Sequence, residues 1–241
     1  MLKFRQVLLV LVILLCVALG CSKSTKYSDN PLYSFNQDEA QTIALCLSGE
    51  LVAPESLSNR VCIDLAVIRS AFGDEFKMIR GINFFPPWIE DCFILGFDDT
   101  TAKEVAEGEY HAWDQLNTQY QIWRIDTTNF YNHARLHFKG RLHPQRLAEL
   151  YGVLPGVIYA EPIRFDGDFP NVYARQTSHG MTYLFRYAEG DCEAGCMYNE
   201  YWYFTFEGDR PVFVGHWIFN SKEPPPDWWK EAKLNREQSC N

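Results

Sequence analysis

The sequence predicts an α+β protein with an N-terminal helical hairpin, a ferredoxin-like β-α-β-β-α-β unit and a C-terminal antiparallel β-meander. Three observations predict it. Residues 36–73 carry two apolar-periodic stretches, each closed by a glycine. Residues 90–163 alternate strand and helix signals in the order of the split βαβ plan. Residues 164–241 hold four alternating, aromatic-rich runs separated by short turn signals, followed by a proline-rich tail. This last segment either stands alone or shares one domain with 90–163.

Taken in order, Asn36 is placed to cap the helix QDEAQTIALCLSG, with Asp38 and Glu39 in a first turn where the helix dipole favours acids. Gly49 ends it. A second helix starts near Pro54 and runs to Gly73, with Val61, Leu65, Ile68 and Phe72 at helical spacing. The prolines of FFPPW break any regular element in 74–90. Residues 92–98 then read as a buried strand, 100–108 as a short helix, 119–127 and 134–140 as strands. Residues 143–156 form a helix with proline at its start and glycine near its end, and 157–162 a last strand. VYARQT, TYLFRYA, YWYFTFEG and PVFVGHWIF are the meander strands, and PPPDWWKEA starts a helical turn.

The first 20 residues have the layout of an export signal. Lys3 and Arg5 precede an apolar run from Val7 to Leu19, too short for a membrane-spanning helix of ~20 residues. Ala18, Leu19, Gly20 and Cys21 resemble a bacterial lipobox. That resemblance implies cleavage before Cys21, lipidation of Cys21 with acyl chains such as palmitate, and a polar tether over 21–35. Ser22, with no aspartate after the cysteine, resembles the pattern sent to the outer membrane of a Gram-negative cell. The expected address is therefore the cell envelope, with the domain in the periplasm or at the cell surface. Loss of Lys3 and Arg5 leaves 20 Lys+Arg against 31 Asp+Glu, a formal charge of −11. Such an acidic chain is a poor partner for nucleic acid, and its membrane contact is expected through lipid rather than charge.

Beyond Cys16 and Cys21, six cysteines remain: Cys46, Cys62, Cys92, Cys192, Cys196 and Cys240. An even count in an exported chain reads as disulfides, with 15 pairings open. Locality suggests Cys192–Cys196, Cys46–Cys62 and Cys92–Cys240, closures that the chain-entropy argument puts at roughly 2, 3 and 5 kcal/mol. Cys192 and Cys196 do not fit a dithiol oxidoreductase. Their spacing is C-x-x-x-C between strands, and Asp191 and Glu193 raise rather than lower a neighbouring thiol's pKa.

Residues 136–162, LHFKGRLHPQRLAELYGVLPGVIYAEP, resemble bacterial secreted proteins of unknown function. More distantly they resemble the propeptide and inhibitor domains of subtilisin-like proteases, through Pro155, Gly156, Val157, Tyr159, Glu161 and Pro162. The likeness covers about 90–163. It implies the ferredoxin-like fold and offers protease inhibition as an alternative function.

No complete catalytic constellation is present in the sequence, and no cofactor or metal is expected. His133 and His137 share one strand face with His143 nearby, but no carboxylate sits at ligand spacing, so they read as exposed strand histidines. His179 reads as a turn residue, Asp98 and Asp99 as a helix start, and Asp166 with Asp168 as an incomplete calcium loop. Tyr201, Trp202, Tyr203 and His216 are the candidate ligand platform, against the alternative that tail residues Trp228 and Trp229 bury that strand. The expectation is thus a lipid-anchored binding or structural protein of the envelope, not an enzyme. Its partner is a protein or small ligand that the sequence leaves unidentified, with envelope hydrolase as the other alternative. Intact mass of the mature protein checks the anchor: a diacyl or triacyl increment on Cys21 is expected, and Cys21→Ser should abolish it.

Overall fold

The computed structural model describes residues 31–128, 132–165, 167–192, 195–219, 221–238 and 240. The expected signal, Cys21 and most of the tether lie outside them. Residues 36–241 form one compact unit. Among the described residues, no helix is long and apolar enough to cross a membrane.

Two helices come first among the described residues. α1 spans Pro31–Ser48 and α2 spans Glu55–Phe72. α1 starts at Pro31 rather than being capped at Asn36, because proline's preset φ suits a first helical position. Asp38 and Glu39 therefore sit inside α1, and their roles are tertiary. Asp38 pairs with Arg141 at 3.3 Å, and Glu39 receives two hydrogen bonds from Arg69 at 2.7 and 2.9 Å. α2 buries Val61, Cys62, Leu65, Ala66 and Ile68 on its apolar stripe. A short 3-10 turn, Lys77–Arg80, follows and leads into the proline loop.

The first sheet contains β1 (Trp88–Phe97), β2 (Ile122–Thr128), β3 (His133–Phe138) and β4 (Val157–Arg164). Its order is β2-β3-β1-β4 with every pair antiparallel. Between β1 and β2 lie α3 (Asp99–Glu107) and the short α4 (Asp114–Gln119); α5 (Pro144–Tyr151) precedes β4. This is the split βαβ order that the sequence predicts, with α4 and residues 119–121 as the difference. The turn of helix at α4 carries little apolar periodicity, so no local signal marked it. Asp98 caps α3 by accepting from the Thr101 amide at 2.7 Å. Gly156, at φ +75°, lets the strand approach: a Cβ there would meet Thr101 Oγ1 at 1.8 Å. Phe93, Leu95 and Phe97 of β1, Ala134, Leu136 and Phe138 of β3, and Leu147, Ala148 and Tyr151 of α5 form this sheet's core. These residues lie on one face of the sheet.

The second sheet is the predicted meander, β5 (Asn171–Thr177), β6 (Gly180–Glu189), β7 (Tyr198–Glu207) and β8 (Arg210–Ile218), in sequential antiparallel order. It is covered on both faces. On one side Phe72 at the end of α2 and Phe76 just beyond it pack on Trp202, Phe204 and Phe213. On the other, α6 (Trp229–Glu237) and Trp228 cover Tyr173, Leu184, Tyr201, Tyr203 and Trp217. Asn235 anchors α6 by donating to the Tyr173 and Thr182 carbonyls at 3.1 Å each.

Cys192 bonds Cys196, as locality suggests. The other two suggested pairs do not form. Cys46 bonds Cys240 across 194 residues, which ties α1 to the C-terminal end. Cys62 is buried on α2, and Cys92 on β1 is a buried thiol. Cys62 is instead buried on the packing stripe of α2 with Val61, Leu65 and Ile68, while Cys46 near the end of α1 meets the C-terminal segment. At the β4–β5 connection, the buried Arg186 guanidinium makes a bidentate ion pair with Asp168 and donates to Asn199 at 2.7 Å. Asp168 is therefore an ion-pair partner rather than part of a calcium loop.

Three outcomes are expected. Opening Cys46–Cys240 by a double serine substitution should cost up to ~5 kcal/mol in denaturant unfolding, against ~2 for Cys192–Cys196. Arg69→Ala should cost about 3–5 kcal/mol in the same assay, since Glu39 would be left buried without its partner. Burial raises the Asp168 carboxyl and Arg186 lowers it more, so its folded pKa lies below the ordinary value. A lowered carboxyl contributes stability above its unfolded pKa of about 3.9, and that contribution is lost as pH falls through the folded value. Asp168→Asn should accordingly flatten the acid limb of the stability profile, read by unfolding at a series of pH values.

Candidate functional site

Among the described residues, the helices that pack on the first sheet, α3 and α5, lie against one face. Alternation along each strand decides what the other face carries. Residues opposite the core positions are Arg124 and Asp126 on β2, His133, Arg135 and His137 on β3, Cys92 and Ile94 on β1, and Tyr159 and Glu161 on β4. Arg124, Arg135, Tyr159 and Glu161 are exposed. Gly96 at the centre makes room for an aromatic: a Cβ there would lie 1.8 Å from the Tyr159 ring. At the β2 edge Trp123 is 52% exposed, with its ring 5.7 Å from that of His137.

The polar groups of this face are linked. Arg124 Nε donates to Asp126 Oδ1 at 2.7 Å, and Asp126 Oδ2 lies 3.1 Å from His137 Nε2. His137 stands directly across from Cys92 in the β1–β3 register. β1 has a register shift between Trp88 and Phe93, and Asp91 lies beside Cys92 there. The ligand atoms of Asp91, Cys92 and His137 all fall within 4.8 Å of one another, and among the described residues this is the cluster of such groups. Asp91 also lines a groove of about 560 Å³ bordered by Phe85, Pro86, Trp88 and Lys139.

Electrostatics set what this cluster can do. Burial, helped by Asp91, pushes the Cys92 thiol up to about 11, with Arg135 opposing. The hydrogen bond from Arg124, together with that to His137, holds the Asp126 carboxyl below the ordinary range. The arrangement is a protonated thiol beside an imidazole fixed by an ionised carboxylate. Nucleophile, base and orienter are all present in type, but the thiol is held in its unreactive form.

The other sequence-predicted residues fall elsewhere. Tyr201, Trp202 and Tyr203 are 2%, 3% and 1% exposed, so they are core and not a ligand platform. Helix α6 and Trp228 with Trp229 cover one face of their strand, and the α2 end covers the other. His216 stays exposed; it stacks on Trp202, and its Nε2 lies 2.6 Å from Glu200, which also accepts from Tyr198. His143 is buried at the start of α5 against Trp88, where burial lowers its pKa, and it does not join His137. His179 sits in the β5–β6 turn. Sequence reasoning picked out His137 but missed Cys92, Asp91 and Asp126 as its neighbours. The signal available was register: pairing 92–98 antiparallel with 134–140 sets Cys92 against His137.

Cys92 should react with iodoacetamide on the order of a hundredfold more slowly in the folded protein at neutral pH than after denaturation, by mass spectrometry of the alkylated peptide. Comparison of the chain with protein-family models, with curated proteins and with solved structures finds no match in any of the three.

Proposed function

We propose that this chain is an exported, envelope-anchored binding protein that presents the open face of its first sheet to a partner or ligand, and that it is not an enzyme. The observation that carries the reading is the asymmetry between the two sheets. The second sheet spends its aromatics on packing both of its faces. The first keeps a face on which Trp123, Tyr159, Arg124 and Arg135 are exposed around a hydrogen-bonded core of Asp126 and His137. Exposed rings held beside fixed charges supply contact area and orientation together.

The two disulfides support an oxidising compartment and so the exported address. The buried, protonated Cys92 favours binding over nucleophilic catalysis at the same face.

Site-specific photocrosslinking in the producing cells tests this reading. A photoreactive residue at Trp123 or Arg135 should give a discrete adduct, while one at Leu150 on the outer side of α5 should give none. Equal labelling at all three positions, or none at 123 and 135, would overturn it. So would turnover of an envelope substrate that Cys92→Ser abolishes.

A further inference from the structure

We propose that Asp91, Cys92 and His137 form a binding site for a divalent cation of the zinc class. The inference goes beyond the binding reading, since a cation can occupy these ligands whether or not the face meets a partner.

The donors come from two adjacent strands in a register that sets Cys92 against His137. Asp91 joins them at the irregularity of β1. Their ligand atoms lie within 4.8 Å of one another. A tetrahedral zinc ion with sulfur at about 2.3 Å and nitrogen at about 2.0 Å sets its ligands roughly 3.5 Å apart. The three groups therefore need to close by at most about 1 Å, within the reach of side-chain rotation. Asp91 is exposed and can make that movement, while Cys92 and His137 are held by the sheet.

Donor chemistry selects the ion. A thiolate, an imidazole and a carboxylate together suit zinc, cobalt or iron and not calcium or magnesium, which take oxygen. Asp126 already holds Nε2 of His137 at 3.1 Å. A carboxylate so placed orients a metal-ligating imidazole when the cation takes the other ring nitrogen, here Nδ1. Arg124 in turn fixes Asp126 at 2.7 Å. Binding would exchange the Cys92 thiol proton for the cation and release that proton to solvent. Three protein ligands leave a fourth position for water or a ligand group. Asp91, the exposed ligand, also lines the neighbouring groove.

Cobalt titration of the full chain in detergent, stripped with chelator and with its disulfides intact, is the test. The expected result is a saturable thiolate-to-cobalt charge-transfer band with intense visible bands of tetrahedral type, displaced stoichiometrically by zinc. Cys92→Ser should abolish the charge-transfer band, and His137→Asn should weaken cobalt binding at least tenfold. His133→Asn, on the same strand face, should leave both unchanged. Circular dichroism of each variant confirms folding, and Asp91→Asn, at an exposed position, provides a second ligand variant that does not disturb the core. No charge-transfer band in the folded wild-type chain overturns the proposal. So does a band that survives Cys92→Ser, or binding that His133→Asn abolishes as fully as His137→Asn. The photocrosslinking result stands apart from these readouts, so either reading can fail alone.

Discussion

The architecture depends on one buried ion pair. Arg69 on α2 is 1% exposed and gives two hydrogen bonds to Glu39 on α1 and a third to the Ile82 carbonyl at 2.6 Å. Glu39 also accepts from the Phe84 amide at 2.6 Å, and the guanidinium lies 5.8 Å from the Phe185 ring of the second sheet. Burying two charges costs several kcal/mol each unless geometry and further hydrogen bonds offset it. That cost admits few arrangements. Both helices, the connector entering β1 and the middle of the second sheet must converge on this point together.

A second constraint follows from how each sheet is covered. The meander lies between α2 and α6, so its outward positions are needed for packing as much as its inward ones. Trp202 and Tyr203 point to opposite faces, and both are buried. The first sheet has its helices on one side. Its opposite positions mix polar residues with Cys92, Ile94 and Tyr159, and Asp126 and His137 on neighbouring strands pair across the ladder. The chemistry of the molecule therefore concentrates on the sheet with the fewer aromatics.

Much of the fold was legible because it rests on local rules. Proline and glycine mark the ends of α2 and α5, alternation marks the strands, and the close spacing of Cys192 and Cys196 favours their bond. Apart from the start of α1 and the short α4, the misassigned features are long-range. Glu39 reads as a first-turn acid until Arg69 arrives from another helix. Cys46 reads as a partner for Cys62 until the C-terminal end returns to α1. Asp126 lies eleven residues before His137 in the chain, a spacing without meaning in sequence, yet β2 and β3 bring them to 3.1 Å.

The residue pattern was thus sufficient for the α+β class and the order of the strands along the chain, since periodicity and turn chemistry act over short distances. Only the folded structure decided which aromatics were core, which cysteines were joined and which polar groups met. Those outcomes depend on strand register and on which sheet face a helix covers. A slip of one residue in register would turn Cys92 and His137 from the open face to the core. No local preference contains that information, because the free energy that sets register comes from burying Phe93, Leu95, Leu136 and Phe138 together.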